Sequence, residues 1–124
     1  MKTCYYAHFM GIYNTPQEDR DVQTLTNLGF HVTNPNSLSL QILFEAYKEE
    51  YPDDYMTFFT QRAAQHDVVA FRSLPDGSIP GGVKMEVMAA KEAGRIIIEL
   101  PCGLHRRGMD HATTVEYLEN IGQR

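Results

Sequence analysis

Apolar residues fall into short runs that alternate with longer stretches of helical periodicity from one end of the chain to the other. The first run, Thr3, Cys4, Tyr5, Tyr6 and Ala7, predicts a strand near residues 2–7 that gives way to an irregular segment over residues 8–14. Thr15-Pro16-Gln17-Glu18 supplies an N-cap, a proline at the first helical position and an acidic first turn. Val22, Leu25 and Leu28 form the buried stripe of that helix, and Gly29 stops it. Phe30 to Thr33 makes a short strand. The turn Asn34-Pro35-Asn36-Ser37 leads into a helix carrying Leu40, Leu43, Phe44, Tyr47 and Tyr51. Pro52 breaks it, and Asp53 caps another helix that runs to about Gln65.

The second half repeats the alternation. Asp67 to Phe71 is an apolar strand led by an aspartate, and residues 72–80 carry Pro75, Asp76-Gly77 and Pro80, punctuation that excludes regular structure. Gly81 to Ala93 returns to helix, Arg95 to Leu100 forms a strand, and residues 112–121 form a last short helix. Strands of this length, apolar on both faces and separated by helices, predict a single α/β domain over residues 1–124. Its architecture is three-layer α/β/α, built on a parallel, Rossmann- or flavodoxin-like sheet of four to five strands. Ligands bind such sheets beyond the carboxyl ends of the strands. The candidate segments are therefore residues 8–14, 34–37, 72–82 and 101–110.

Composition narrows the function classes. The 124 residues carry 11 Lys+Arg against 16 Asp+Glu, a net charge of -5 that argues against a nucleic-acid polymer as partner. Residues 1–20 lack a signal pattern and no apolar run reaches membrane length, so the expectation is a cytoplasmic protein with no membrane partner. Cys4 and Cys102 have no CxxC spacing, and His105, Asp110 and His111 lack a fourth ligand, so no metal site is expected. No GxGxxG or GxxxxGK[ST] appears, which removes the usual dinucleotide and P-loop signatures; no cofactor is expected.

One side chain carries most of the candidate chemistry. At 100° per residue, Val83, Val87, Ala90 and Ala93 define the sheet-facing side of the Gly81 helix, and Glu86 falls between Ala90 and Ala93 on that side. An inward carboxylate near a strand-end crevice suits nucleophilic or acid/base work, or is a satisfied structural group. Gly81 and Gly82 begin the same helix, where they permit close backbone approach to a ligand or simply make a sharp turn. His8 sits in a crevice loop, where it either hydrogen-bonds a base or phosphate or stands as an exposed loop histidine, the commoner case. Asp67 opens its strand at the amino end of the sheet, where a capping role is favoured. Tyr47, Tyr51, Tyr55, Phe58 and Phe59 follow helical spacing and read as core or subunit interface.

Tyr5-Tyr6-Ala7, Asp67-Val68-Val69-Ala70, Gly82-Val83-Lys84-Met85-Glu86 with Ala90 and Gly94, and Arg95-Ile96-Ile97-Ile98 together resemble the nucleoside 2-deoxyribosyltransferase superfamily. That superfamily includes the 2-deoxynucleoside 5-phosphate N-hydrolases. The likeness spans most of residues 3–100, and its tight part is G-x-x-x-E-x-x-x-A-x-x-x-G. The resemblance implies that Glu86 attacks the anomeric carbon of a deoxyribosyl group and that Tyr5 orients it. It also implies a homodimer or larger homo-oligomer in which a neighbouring subunit completes each site. The family usually places an acidic residue or a serine shortly before the nucleophilic helix. Here that stretch is Ser78-Ile79-Pro80, with Pro80 nearest the position where some members have Asp, which leaves Asp76 or Ser78 to reach in from the loop.

His105, Arg106 and Arg107, after the fourth strand, suit bidentate contact with a 5-phosphate, or make a solvated turn. The implied partner is a small nucleoside or nucleotide. Three readings follow: an N-glycosidase or deoxyribosyltransferase, a nucleotide-binding or sequestering protein without turnover, and an interaction module without a small ligand.

Overall fold

In the computed structural model, which describes residues 1–101 and 108–124, the pairing of four short strands fixes the architecture. β1 (Thr3–Ala7), β2 (His31–Thr33), β3 (Val68–Phe71) and β4 (Ile96–Glu99) form an all-parallel sheet in the order β2-β1-β3-β4. The helices are α1 (Pro16–Asn27), α2 (Leu38–Glu50), α3 (Thr57–Gln65), α4 (Gly81–Glu92) and α5 (His111–Asn120). A single 3-10 turn at Met10–Ile12 interrupts the segment between β1 and α1.

Strand alternation divides the core into two layers. Cys4, Tyr6, Val68 and Ala70 pack with Leu25 of α1 on one face, while Tyr5, Ala7, Val69 and Phe71 pack with Ala63 of α3 and with Val83 and Ala90 of α4 on the other. This is the three-layer α/β/α arrangement. The chain leaves β1 toward β2 and returns past it to β3, so the sheet reverses its winding between the carboxyl ends of β1 and β3. That is where open parallel sheets hold their ligands.

Local chemistry explains most boundaries. The Thr15 hydroxyl accepts from the Glu18 amide at the start of α1, Pro16 occupies its first turn, and Gly29 follows its end with φ of +95°, a conformation that costs a side-chain-bearing residue far more than glycine. Ser37 caps α2 through the Leu40 amide, and Asp110 caps α5 through the Thr113 amide at 2.8 Å. α2 is carried on α3 by aromatic contacts, with Phe44 4.5 Å from Phe59 and 5.5 Å from Phe58, ring centroid to centroid. Phe58 is buried, whereas Tyr51 and Tyr55 remain exposed.

Two expectations are corrected. α3 begins at Thr57, later than the Pro52-Asp53 signal suggested, because the chain turns first and Asp54, not Asp53, accepts from Thr57. In α1, Leu28 is exposed, and the inward stripe is Glu18, Asp21 and Leu25. Among the described residues, no helix is long and apolar enough to cross a membrane, and no group of three His, Cys, Asp or Glu side chains is arranged to hold a metal ion.

Candidate functional site

Adjacent tyrosines on β1 point to opposite faces of the sheet, and each meets a buried carboxylate from a different helix. Tyr6 donates to Asp21 of α1 at 2.5 Å. Asp21 also receives Arg72 through Nε at 2.5 Å and Nη2 at 2.6 Å, and Gln17 at 2.8 Å. The third guanidinium bond, Arg72 Nη1 to the Pro101 carbonyl at 2.7 Å, ties the end of β4 to the same cluster. Asp21 is thus fully neutralised and saturated with donors, as a structural carboxylate is.

Glu86 on the opposite face differs. It stands on α4 between Val83 and Ala90, is only 6% exposed, and meets no cation or amide donor among the described residues. Burial raises its pKa from 4.5 to about 7, and the Tyr5 hydroxyl beside it only partly offsets that rise. Tyr5 in turn is held well above the usual phenol range by its own burial and then by the Glu86 charge. Its hydroxyl is fully buried and makes no hydrogen bond of ordinary geometry, so its donor capacity is unspent. An acid that titrates near neutrality next to an unspent hydroxyl is the arrangement expected of a reacting carboxylate.

The start of α4 fits a site open to a ligand. Pro80 provides no side-chain cap, so the first amides of the helix lack a side-chain partner. A Cβ on Gly81 would meet nothing within 4 Å, and one on Gly82 only Met56 Cε at 3.6 Å. Neither glycine is therefore demanded by packing within the chain. Ser73, two residues past β3, is a further buried hydroxyl without a partner.

The remaining expected site residues are distributed as follows. His8 is buried with both nitrogens engaged, Nδ1 with the Tyr6 carbonyl at 3.0 Å and Nε2 with Glu18 at 2.7 Å. Both nitrogens are therefore taken up within the chain, and neither is left for a base or phosphate. Glu18 lies below its usual pKa: burial opposes its charge, but bonds from His8, the Asn14 amide and Asn36 more than offset that. Asp76 accepts from the Ser78 amide at 2.9 Å and the Ser78 hydroxyl at 2.6 Å on an exposed turn, which lowers the Asp76 pKa. Their contacts are with each other and not with Glu86. Asp67 binds the Thr3 amide and hydroxyl at the amino end of the sheet, a capping role. Cys102, His105, Arg106 and Arg107 lie outside the described residues.

Tyr13 is the group that sequence reasoning passed over. It is half-buried, its ring lies 4.9 Å from the His8 ring, and its phenol is pushed up to about 12 by burial and then by the charges of Glu86 and Glu18. Tyr5 and Glu86 thus form one cluster on the α4 face of the sheet, and Tyr13 feels the Glu86 charge from the loop after β1. Comparison with protein-family models, curated proteins and solved structures gives no match, so the chemistry of this cluster is the ground for a functional reading.

Proposed function

We propose that the protein cleaves or transfers the N-glycosidic bond of a small nucleoside or nucleotide, with Glu86 as nucleophile and Tyr5 as its orienting partner. The observation that carries this reading is the contrast between the two buried carboxylates: Asp21 is saturated by Tyr6, Arg72 and Gln17, whereas Glu86 has only an underused tyrosine hydroxyl beside it. In the first step a Glu86 oxygen bonds to the anomeric carbon as the carbon–nitrogen bond breaks. The base leaves with that electron pair and takes a proton from water. In the second step water, or the nitrogen of another base, attacks the same carbon and releases the Glu86 carboxylate, giving hydrolysis or transfer. The free amides at Gly81 and Gly82 suit the polar end of such a ligand.

The test is incubation with deoxynucleosides and their 5-monophosphates, followed by chromatography for free base. Because the attacking form is ionised, kcat/KM should rise with pH along a limb whose midpoint lies near 7 and then level off. A profile flat from pH 5 to 8 would remove Glu86 from the nucleophile role.

A second reading, binding without turnover, is favoured by the Asp76–Ser78 turn, which keeps both side chains occupied with one another and leaves no acid poised for the leaving base. Tight binding of an intact nucleotide with no base release would select it. Either reading goes with assembly into a homodimer or larger homo-oligomer, consistent with Leu38, Ile42 and Leu43 standing exposed on α2. Light scattering should give a mass of at least two chains, and a monomer would count against it.

A further inference from the structure

The Tyr5 hydroxyl makes no hydrogen bond of ordinary geometry, so whatever fixes its direction must act on the ring. That ring belongs to one row across the sheet. Thr33 of β2, Tyr5 of β1, Val69 of β3 and Ile97 of β4 are in register, and side chains in register on parallel strands share a face. Ala63 of α3 and Val83 and Ala90 of α4 close over the row in one core cluster. Tyr5 therefore lies under the seam of the two helices. Glu86 comes to it from α4, between Val83 and Ala90, and a second polar group comes from α3.

That group is His66, the residue that ends α3. Its ring meets the Tyr5 ring edge to face, with centroids 5.5 Å apart and planes at 64°, a favoured aromatic geometry. Both of its nitrogens are anchored, Nδ1 on the Arg62 carbonyl at 2.5 Å and Nε2 on the Thr33 hydroxyl at 2.8 Å. A carbonyl only accepts, so Nδ1 donates, and the neutral ring then accepts from Thr33 at Nε2. Arg62 is itself held, with its guanidinium 3.5 Å over the Phe58 ring and Nη1 bonding the Phe58 carbonyl at 3.0 Å. The imidazole thus joins the end of α3 to β2, and Tyr5 is the side chain it touches on the strand between. An aliphatic group could fill the same space. Two anchored nitrogens add an orientation that an aliphatic group lacks.

We propose that His66 is a positioning residue of the Glu86 site: pinned between Arg62 and Thr33, it holds the Tyr5 ring so that the hydroxyl stays aimed at the Glu86 carboxylate. The inference rests on the glycosidic reading above for its substrate, a nucleoside or nucleotide, and adds a residue that acts through Tyr5 and not on the substrate.

Two measurements test this on the full chain. In the first, base release from a deoxynucleoside 5-monophosphate is followed. Thr33→Val, which removes only the hydroxyl anchor, should lower kcat about fivefold with KM within about twofold of native; His66→Phe, which keeps a ring without either anchor, should lower kcat about tenfold. Thr33→Ser keeps the hydroxyl and should recover most of what Thr33→Val loses. With Tyr5→Phe already in place, adding His66→Phe should change kcat by less than about twofold, because the hydroxyl it directs is gone. An unchanged kcat in Thr33→Val or His66→Phe, or losses that multiply in the double variant, would overturn the proposal.

The second measurement needs no turnover. With carboxyl-labelled glutamate in the chain, the carbon signal of Glu86 is identified by its absence in Glu86→Gln, and its midpoint near 7 is followed by titration. The Tyr5 hydroxyl lowers that midpoint, so Tyr5→Phe should raise it by about half a pH unit or more. His66→Phe should raise it in the same direction, as should Thr33→Val, which leaves the imidazole in place, and the double variant of Tyr5 and His66 should match Tyr5→Phe alone. A direct charge effect of the imidazole would add to the Tyr5 effect instead. Shifts that add, or a midpoint that stays or falls in His66→Phe, refute positioning through Tyr5. If the native protein cleaves no nucleotide yet the midpoints follow the expected order, the glycosidic reading fails and the positioning of Tyr5 by His66 stands.

Discussion

Replacing Glu86 with glutamine is expected to cut base release by about three orders of magnitude or more while making the folded protein harder to denature above neutral pH. Both effects follow from one side chain. Glutamine keeps the volume and offers the Tyr5 hydroxyl an amide oxygen, but it has no ionised oxygen with which to form a bond to the anomeric carbon. The stability gain follows from the direction of the pKa shift. Glu86 titrates near 4.5 when unfolded and near 7 in the folded chain, so between those values the folded state binds more protons than the unfolded one. Stability therefore falls as pH rises through this window, and the penalty is complete above about pH 7, where it amounts to at most roughly 3 kcal/mol. Glutamine carries no such penalty. Urea unfolding should show the variant clearly more stable than the native chain at pH 8 and nearly equal to it at pH 4.5. Equal stability at both pH values would mean that the carboxylate is not buried, and undiminished turnover would mean that it is not the nucleophile.

The elements governed by local rules were legible in the sequence. Thr15 and Pro16 open α1, Gly29 closes it, and the inward face of α4 includes Glu86 as helical spacing requires. What stayed hidden depended on distant partners. The set Glu18, Asp21 and Leu25 has the same three-then-four spacing as Val83, Glu86 and Ala90, so the face argument that singled out Glu86 applies equally to two acids in α1. It was masked because acidic residues near a helix start are ordinarily explained by the helix dipole. The cation that makes Asp21 tolerable is Arg72, 51 residues away. Likewise, alternation along Tyr5-Tyr6 predicts opposite faces, yet which tyrosine meets a saturated carboxylate and which an unsaturated one is decided by side chains from other layers. His8 read as a crevice group because its partner, Glu18, lies on the next element. Tyr13 and Ser73 follow no motif, and only packing reveals them. The helix expected from Asp53 starts late for a local reason, since the chain first turns through Asp54, whose carbonyl accepts from the Thr57 amide and whose side chain accepts from the Thr57 hydroxyl.

The Asp21–Arg72 pair sets the second large expectation, because it distinguishes a structural carboxylate from a reacting one. Their side chains are 4% and 13% exposed, and they meet through two short bonds in a layer that also contains the Tyr6 hydroxyl. Arg72→Met leaves the Asp21 charge buried with only neutral donors, and breaking a buried pair from one side costs about 3–5 kcal/mol. Asp21→Asn should cost a similar amount, because the guanidinium then faces a neutral amide. Combining the two removes both charges, so the double variant should be more stable than the two single losses together imply. Urea unfolding of the four proteins measures this coupling, and base release per folded molecule should stay within about twofold of native throughout, since neither side chain approaches Glu86. The opposite pattern has a definite meaning. If Arg72→Met and Asp21→Asn lost turnover while keeping native stability, the reacting carboxylate would lie on the α1 face of the sheet beside Tyr6, and the assignment of Glu86 would have to be given up.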